Sequence, residues 1–218
     1  MNLQSIQTGK AQRYGDPAKS KFAEKEWESG IFKSTISEPA VVTKTGIIGD
    51  EQADLKVHGG PDKAICVYSL DHFPYWEKQI NKELAAGAFG ENFSVTDVSE
   101  SDVCIGDTFR CGDVTVQVSQ PRQPCWKLAR RWGAKEIITL MQDNGKTGWY
   151  FRVLEEGNTL APADIELIDR PYADWTITRA NEVMYRDTKN IDAAHTLSQI
   201  KELATSWQEV LQKRVSRI

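Results

Sequence analysis

Polar and apolar residues alternate strictly along Val114-Thr115-Val116-Gln117-Val118, the pattern of a strand with one face in a core. Similar short apolar or β-branched runs recur up to about residue 170. Ile31–Ile36 ends at Pro39, Ala64–Tyr68 follows a Gly-Gly-Pro-Asp turn, and Trp149–Leu154 and Ile165–Ile168 repeat the theme. Turn residues separate them, so the pattern predicts a mainly β unit, a barrel or a folded antiparallel sheet. Helical spacing is rarer. Ser69 can cap a helix running through Trp76 and Ile80, with Pro74 in its first turn. Cys125, Leu128, Ala129 and Trp132 share one face of a short helix, and a second covers Lys135–Gln142, closed by Asn144-Gly145.

Beyond Arg170-Pro171 the β pattern gives way to helical spacing. A helix near Arg179–Arg186, an apolar face of Leu197, Ile200 and Leu203, and a last helix carrying Trp207, Val210 and Leu211 make three short helices. Ser206-Trp207-Gln208-Glu209 has the form of a capping box. The expected division is residues 1–170 as the β unit and 171–218 as a helical appendix.

Composition narrows the function. The 218 residues are 40% hydrophobic and 27% charged, with 31 acidic against 27 basic side chains and a net charge of -4. That balance leaves no electrostatic footprint for a nucleic acid polymer or an anionic membrane. The start of the chain lacks a signal-peptide pattern, and no apolar run reaches the roughly 18 residues of a membrane span. Cys66, Cys104, Cys111 and Cys125 show no CxxC spacing. Free thiols and a cytoplasmic location are expected. Metalloprotease, nucleophile-elbow and dinucleotide-fold patterns are all missing.

Four segments carry candidate chemistry, each with a plainer alternative. His58-Gly59-Gly60-Pro61-Asp62-Lys63 can form an anion nest or an ordinary turn. Phe89-Gly90-Glu91-Asn92-Phe93 offers polar groups at a strand entrance, or simply turns. In Gln120-Pro121-Arg122-Gln123-Pro124-Cys125-Trp126-Lys127-Leu128, Cys125 falls in the first turn of a helix, where the helix dipole, Arg122 and Lys127 favour thiolate. A thiolate is a nucleophile or a soft metal ligand. Sharing a face with Leu128 and Trp132, Cys125 can equally be a small core residue. In Trp149–Val153, Tyr150 and Arg152 share one strand parity and face either a pocket or solvent.

Taken in order, these segments, with Gly49-Asp50-Glu51-Gln52-Ala53-Asp54 and Ile105-Gly106-Asp107, resemble the MOSC family, named after the C-terminal domain of molybdenum cofactor sulfurase. The helical tail is similar to that of the YiiM-like branch, the hydroxylaminopurine-resistance proteins. The resemblance implies a mainly β, closed barrel-like domain with a few short helices, plus a C-terminal three-helix segment. It implies a molybdenum cofactor (molybdopterin), with Cys125 as metal ligand and catalytic residue. His58, Lys63, Asn92, Arg122, Tyr150 and Arg152 are the expected cofactor-binding residues. The implied activity is reduction of small N-hydroxylated compounds to amines, with electrons from a separate donor reductase. A non-catalytic carrier of the cofactor or its sulfur through Cys125 is the alternative. An interaction module with Cys125 buried and inert is a third reading. The chain lacks the extra N-terminal barrel domain that helps hold the cofactor in amidoxime-reducing relatives, so the resemblance leaves part of the cofactor to be covered by the helical tail or by a second subunit in a homodimer. The chain departs from the family pattern at Ala163-Asp164, where relatives usually carry Gly-Asp.

Overall fold

The structure, a computed structural model, describes residues 1–22 and 24–217. Its strands are β1 (Asn2–Thr8), β2 (Gln12–Tyr14), β3 (Trp27–Ser29), β4 (Ser34–Ile36), β5 (Ala40–Thr43), β6 (Gly46–Ile47) and β7 (Ile65–Ser69). They continue with β8 (Phe93–Thr96), β9 (Thr108–Cys111), β10 (Val114–Pro121), β11 (Trp149–Glu155), β12 (Gly157–Thr159), β13 (Ala163–Asp164) and β14 (Glu166–Asp169). The principal sheet runs β13-β1-β8-β7-β11-β10-β9-β14, with β4 also on β1. Its pairings are antiparallel except β7 with β8.

The two ends of this path are consecutive in the chain. β13 pairs with β1 and β14 with β9, and only Ile165 lies between them. The Ile165 N–H donates to the Met1 carbonyl at 3.0 Å, and its side chain is buried. One bent segment thus borders both ends of the sheet and rolls it into the expected barrel-like form. Ala163, at the departure from the family pattern, sits in register opposite Leu3, in paired strand where no glycine is required.

The sequence pattern of β10 predicts one wet face, and the structure gives it two covered ones. Val114, Val116 and Val118 face the barrel core, yet Thr115, Ser119 and Gln120 are buried as well. The C-terminal helices supply part of the second cover: Ala204 N–H donates to Ser119 O at 2.8 Å, and Ser206 Oγ donates to Gln120 Oε1 at 3.3 Å.

The helices are α1 (Phe73–Ile80), α2 (Trp126–Trp132), α3 (Ile137–Asn144), α4 (Ile177–Asn181), α5 (Ile191–Ser198) and α6 (Thr205–Val215). A π-helical turn over Glu182–Arg186 continues α4. Ser69 caps a short 3-10 turn, Leu70–His72, that leads into α1, with Pro74 in the first turn of that helix. The expected capping box is not formed. α6 begins at Thr205, which places Ser206 inside the helix, its hydroxyl turned to Gln120. Trp207 and Leu211 join the barrel core with Leu197. A second apolar cluster lies under α1, α2 and α3, centred on Tyr68 stacked against Phe89 at 4.2 Å. This cluster lies behind the cleft described next.

Candidate functional site

Cross-strand register places the first pair of site residues. Tyr150 on β11 stands directly opposite Cys66 on β7, so both side chains leave the same face of the sheet. That face opens into a cleft whose walls also include Ile31, Lys33, His58, Lys63, Arg122 and Cys125. Three loops converge there: the turn before β7, the segment from the end of β10 to α2, and the segment after β3.

Glycine conformations and hydrogen bonds fix two of these loops. Gly59 and Gly60 adopt φ of 95° and 82°, and the Lys63 ammonium folds back to donate to Val57 O at 2.8 Å. The Arg122 N–H donates to Gly148 O at 3.0 Å. Gly148 itself has φ of 71° and approaches β7 so closely that a Cβ would lie 2.3 Å from Val67 O. Only glycine serves at that crossing.

Arg122 is buried beneath the cleft. Its Nη2 donates to Phe89 O at 2.5 Å, while Nη1 is buried with no hydrogen-bond partner. Burial works against its charge, but Cys66, Tyr150 and Glu91 hold its pKa above the usual guanidinium value. Glu91 is itself buried and accepts from Gly87 N–H, Phe89 N–H and Ser94 Oγ. His58 feels the same cationic surroundings: burial, then the charges of Arg122, Lys127 and Lys63, lower its pKa to about 4. It is therefore neutral at pH 7. Burial, with Cys66 alongside, pushes the Tyr150 phenol above its usual value, and burial raises the Cys66 thiol.

Cys125 departs from the expected position. It is the N-cap of α2, with extended backbone (φ -109°, ψ 145°), rather than a residue of the first turn. Its side chain consequently leaves the face that buries Leu128, and it lines the cleft half-buried. The core-residue alternative for Cys125 fails on that geometry. All four cysteines are free, and the other three are buried.

Five of the six expected cofactor-binding residues line this cleft: His58, Lys63, Asn92, Arg122 and Tyr150. Asn92, however, is fully engaged. Its Oδ1 accepts from Cys66 N–H at 3.1 Å, and its Nδ2 donates to Gln7 O and Asp50 Oδ2. It stitches the wall together. Arg152 is the exception. Its guanidinium forks onto Asp62 Oδ1 at 3.1 and 2.7 Å and onto Gln117 Oε1 at 3.2 Å, outside the cleft. Strand parity put it on the side of Tyr150, but the long side chain follows the nearest carboxylate. Sequence reasoning missed Cys66 and the Lys33–Asp50 pair. The placement of Ala64–Tyr68 as a strand beside the Gly-Gly turn was the available signal for Cys66. Lys33 carried none.

The MOSC domain model matches residues 54–166, and the model described as YiiM-like, 3-alpha helix domain matches residues 175–217. The chain is 42% identical to an uncharacterized protein, YflK, of Bacillus subtilis (strain 168), over 94% of this chain and 92% of that one. It is 38% identical to protein YiiM of Escherichia coli (strain K12), over 96% and 90%. A protein named Reductase from Gibberella moniliformis is 37% identical over 73% of this chain, which matches only 29% of that longer protein. The crystal structure of YiiM from Geobacillus stearothermophilus superposes with a TM-score of 0.82 at 35% identity, covering 98% of each chain. The β unit and the helical tail thus each find their counterpart in the same relatives, and the chain belongs to the MOSC-domain family, in its YiiM-like branch.

Proposed function

We propose that this protein holds a molybdenum–pterin cofactor in the Cys125 cleft and reduces N-hydroxylated compounds, hydroxylaminopurine-type bases among them, to amines. One observation carries the reading: a single accessible thiol and a buried cation with an unpartnered N–H, Arg122 Nη1, line the same cleft. The donor set suits such a cofactor. Among the described residues no group of three or more His, Cys, Asp or Glu side chains gathers to hold a bare metal ion. A metal that brings its own dithiolene and oxo ligands needs one further soft donor, which Cys125 provides. The cofactor's phosphate calls for N–H donors and positive charge, which Arg122, Lys63 and Lys127 offer. When bound, the cofactor supplies the two-electron redox chemistry.

The chain's own residues bind and orient. Cys125 is the ligand, Arg122 the anion clamp, and the protonated Tyr150 phenol a hydrogen-bond donor that stays neutral. His58, also neutral, can exchange a hydrogen bond without adding charge. The overall change, R–NHOH + 2 e⁻ + 2 H⁺ → R–NH₂ + H₂O, draws its electrons from a separate donor reductase. The fungal relative named Reductase, much longer than this chain, supports a redox role. Free thiols favour the cytoplasm as the compartment, and no described helix is long and apolar enough to cross a membrane.

A non-catalytic carrier of the cofactor or its sulfur through Cys125 is the second reading, favoured by the second thiol, Cys66, in the same cleft. The deciding experiment is elemental analysis for molybdenum, with pterin fluorescence, on wild type and Cys125→Ala from a cofactor-competent host. Molybdenum and pterin are expected in wild type alone. Equal loading of both proteins sinks the proposal, whereas loading of wild type without turnover of any N-hydroxylated substrate selects the carrier.

A further inference from the structure

Beside the cleft the surface carries a cluster of exposed aromatic rings. Phe22 is 59% exposed, Trp126 43% and Phe32 39%. They form one continuous patch with Trp27. The centroid of Trp126 lies 5.6 Å from that of Phe22 and 5.7 Å from that of Trp27, and Phe32 lies 6.1 Å from Trp27. Arg130 threads the patch, its Cζ 4.9 Å from the Trp27 centroid, 5.3 Å from Phe22 and 5.9 Å from Trp126. A hydrogen bond from its Nη2 to Lys25 O holds it there.

The patch is continuous with the site through the chain. Trp126 stands between Cys125 and Lys127, which both line the cleft, and Trp27 and Phe32 bracket the lining residues Ser29, Gly30 and Ile31. Clustered aromatic surface left in water marks a place of binding. Ring faces edged by a guanidinium fit one chemistry above others: a flat, electron-rich ring, which gains stacking and cation–π attraction together. A small non-aromatic compound gains neither.

We propose that Trp126, backed by Trp27 and Phe22, is the stacking subsite for a planar heteroaromatic ring, and that it selects ring-borne N-hydroxylated substrates over small non-aromatic ones. This rests on the proposed reductase reading for the identity of the reacting group, but the ring-binding itself does not.

The test is calorimetric titration of the purified full chain with adenine, as the flat-ring probe, and hydroxyurea, as a non-aromatic N-hydroxy probe. Trp126→Ala and Trp126→Phe are compared with wild type; the exposure of Trp126 makes both compatible with folding. Adenine is expected to bind about tenfold more weakly to Trp126→Ala and within about threefold of wild type to Trp126→Phe, as for loss and retention of one stacked ring. Hydroxyurea binding is expected to be the same in all three proteins. The subsite is overturned by absence of adenine binding to wild type, by unchanged adenine affinity in Trp126→Ala, or by an equal loss for both probes. Neither probe needs metal or turnover. Protein that never loads molybdenum but binds adenine through Trp126 keeps the subsite and loses the reductase. Loaded, active protein indifferent to Trp126→Ala does the reverse.

Discussion

Lys33 sets its ammonium against both carboxylate oxygens of Asp50, with the two side chains only 6% and 1% exposed. Asp50 also accepts from Gly9 N–H, Gln52 Nε2 and Asn92 Nδ2. It therefore ties the segment after β3 and the Asn92 entrance of β8 into one wall of the cleft. Removing one partner of such a pair leaves a buried charge without compensation. Asp50→Asn is expected to lower unfolding stability by about 3–5 kcal/mol in urea titrations. The double variant Lys33→Met/Asp50→Asn should recover part of that loss. A double variant as unstable as the sum of the two single changes refutes the coupling.

His58 carries a pH signature. Its folded pKa of about 4 lies below the ordinary histidine value of 6.5. Between those values the unfolded chain binds a proton that the folded chain refuses, so stability falls as pH drops from 6.5 toward 4. NMR titration should show the His58 ring resonances moving near pH 4. Inorganic phosphate bound beside Arg122 and Lys63 should raise that midpoint, because an anion offsets the cations that depress it. A phosphate-independent midpoint argues against anion binding here.

Thiol counting separates Cys125 from the rest. Burial raises the pKa of Cys66, Cys104 and Cys111, and all three are shielded from reagent. One fast-reacting thiol is expected in native protein treated with an aromatic disulfide reagent, and Cys125→Ala should abolish it. A fast phase surviving in that variant transfers the reactive site elsewhere.

Arg152 acts on the turn and not on the ligand. Its pair with Asp62 is partly exposed, and Asp62 Oδ2 also accepts from Thr205 N–H at 3.3 Å, at the start of α6. Arg152→Gln should cost about 1 kcal/mol of stability. It should leave molybdenum content unchanged. Loss of metal at normal stability returns Arg152 to the cofactor site.

The local pattern of the chain determined a good deal. Alternation placed β10, and short apolar runs bounded by turn residues placed β7, β11 and β14, because strand propensity and turn chemistry are local properties of the chain. The tail separated as helices for the same local reason, although Ser206, read as a cap, lies one position inside α6. Linear order also brought His58, Lys63, Arg122 and Cys125 into view as polar or reactive residues in restricted loops. Tertiary structure decided what linear order cannot express. The second cover of β10 comes from the tail and from the Asp62 turn, whose carbonyl accepts from Ser119 Oγ. The Tyr150–Cys66 pair comes from the register of two strands more than eighty positions apart. Asn92 and Arg152, expected from the resemblance to bind cofactor alongside Arg122, spend their hydrogen bonds on protein partners, whereas Arg122 retains a buried N–H without one. A side chain's role depends on which donors and acceptors reach it first, and only the packed fold sets those distances.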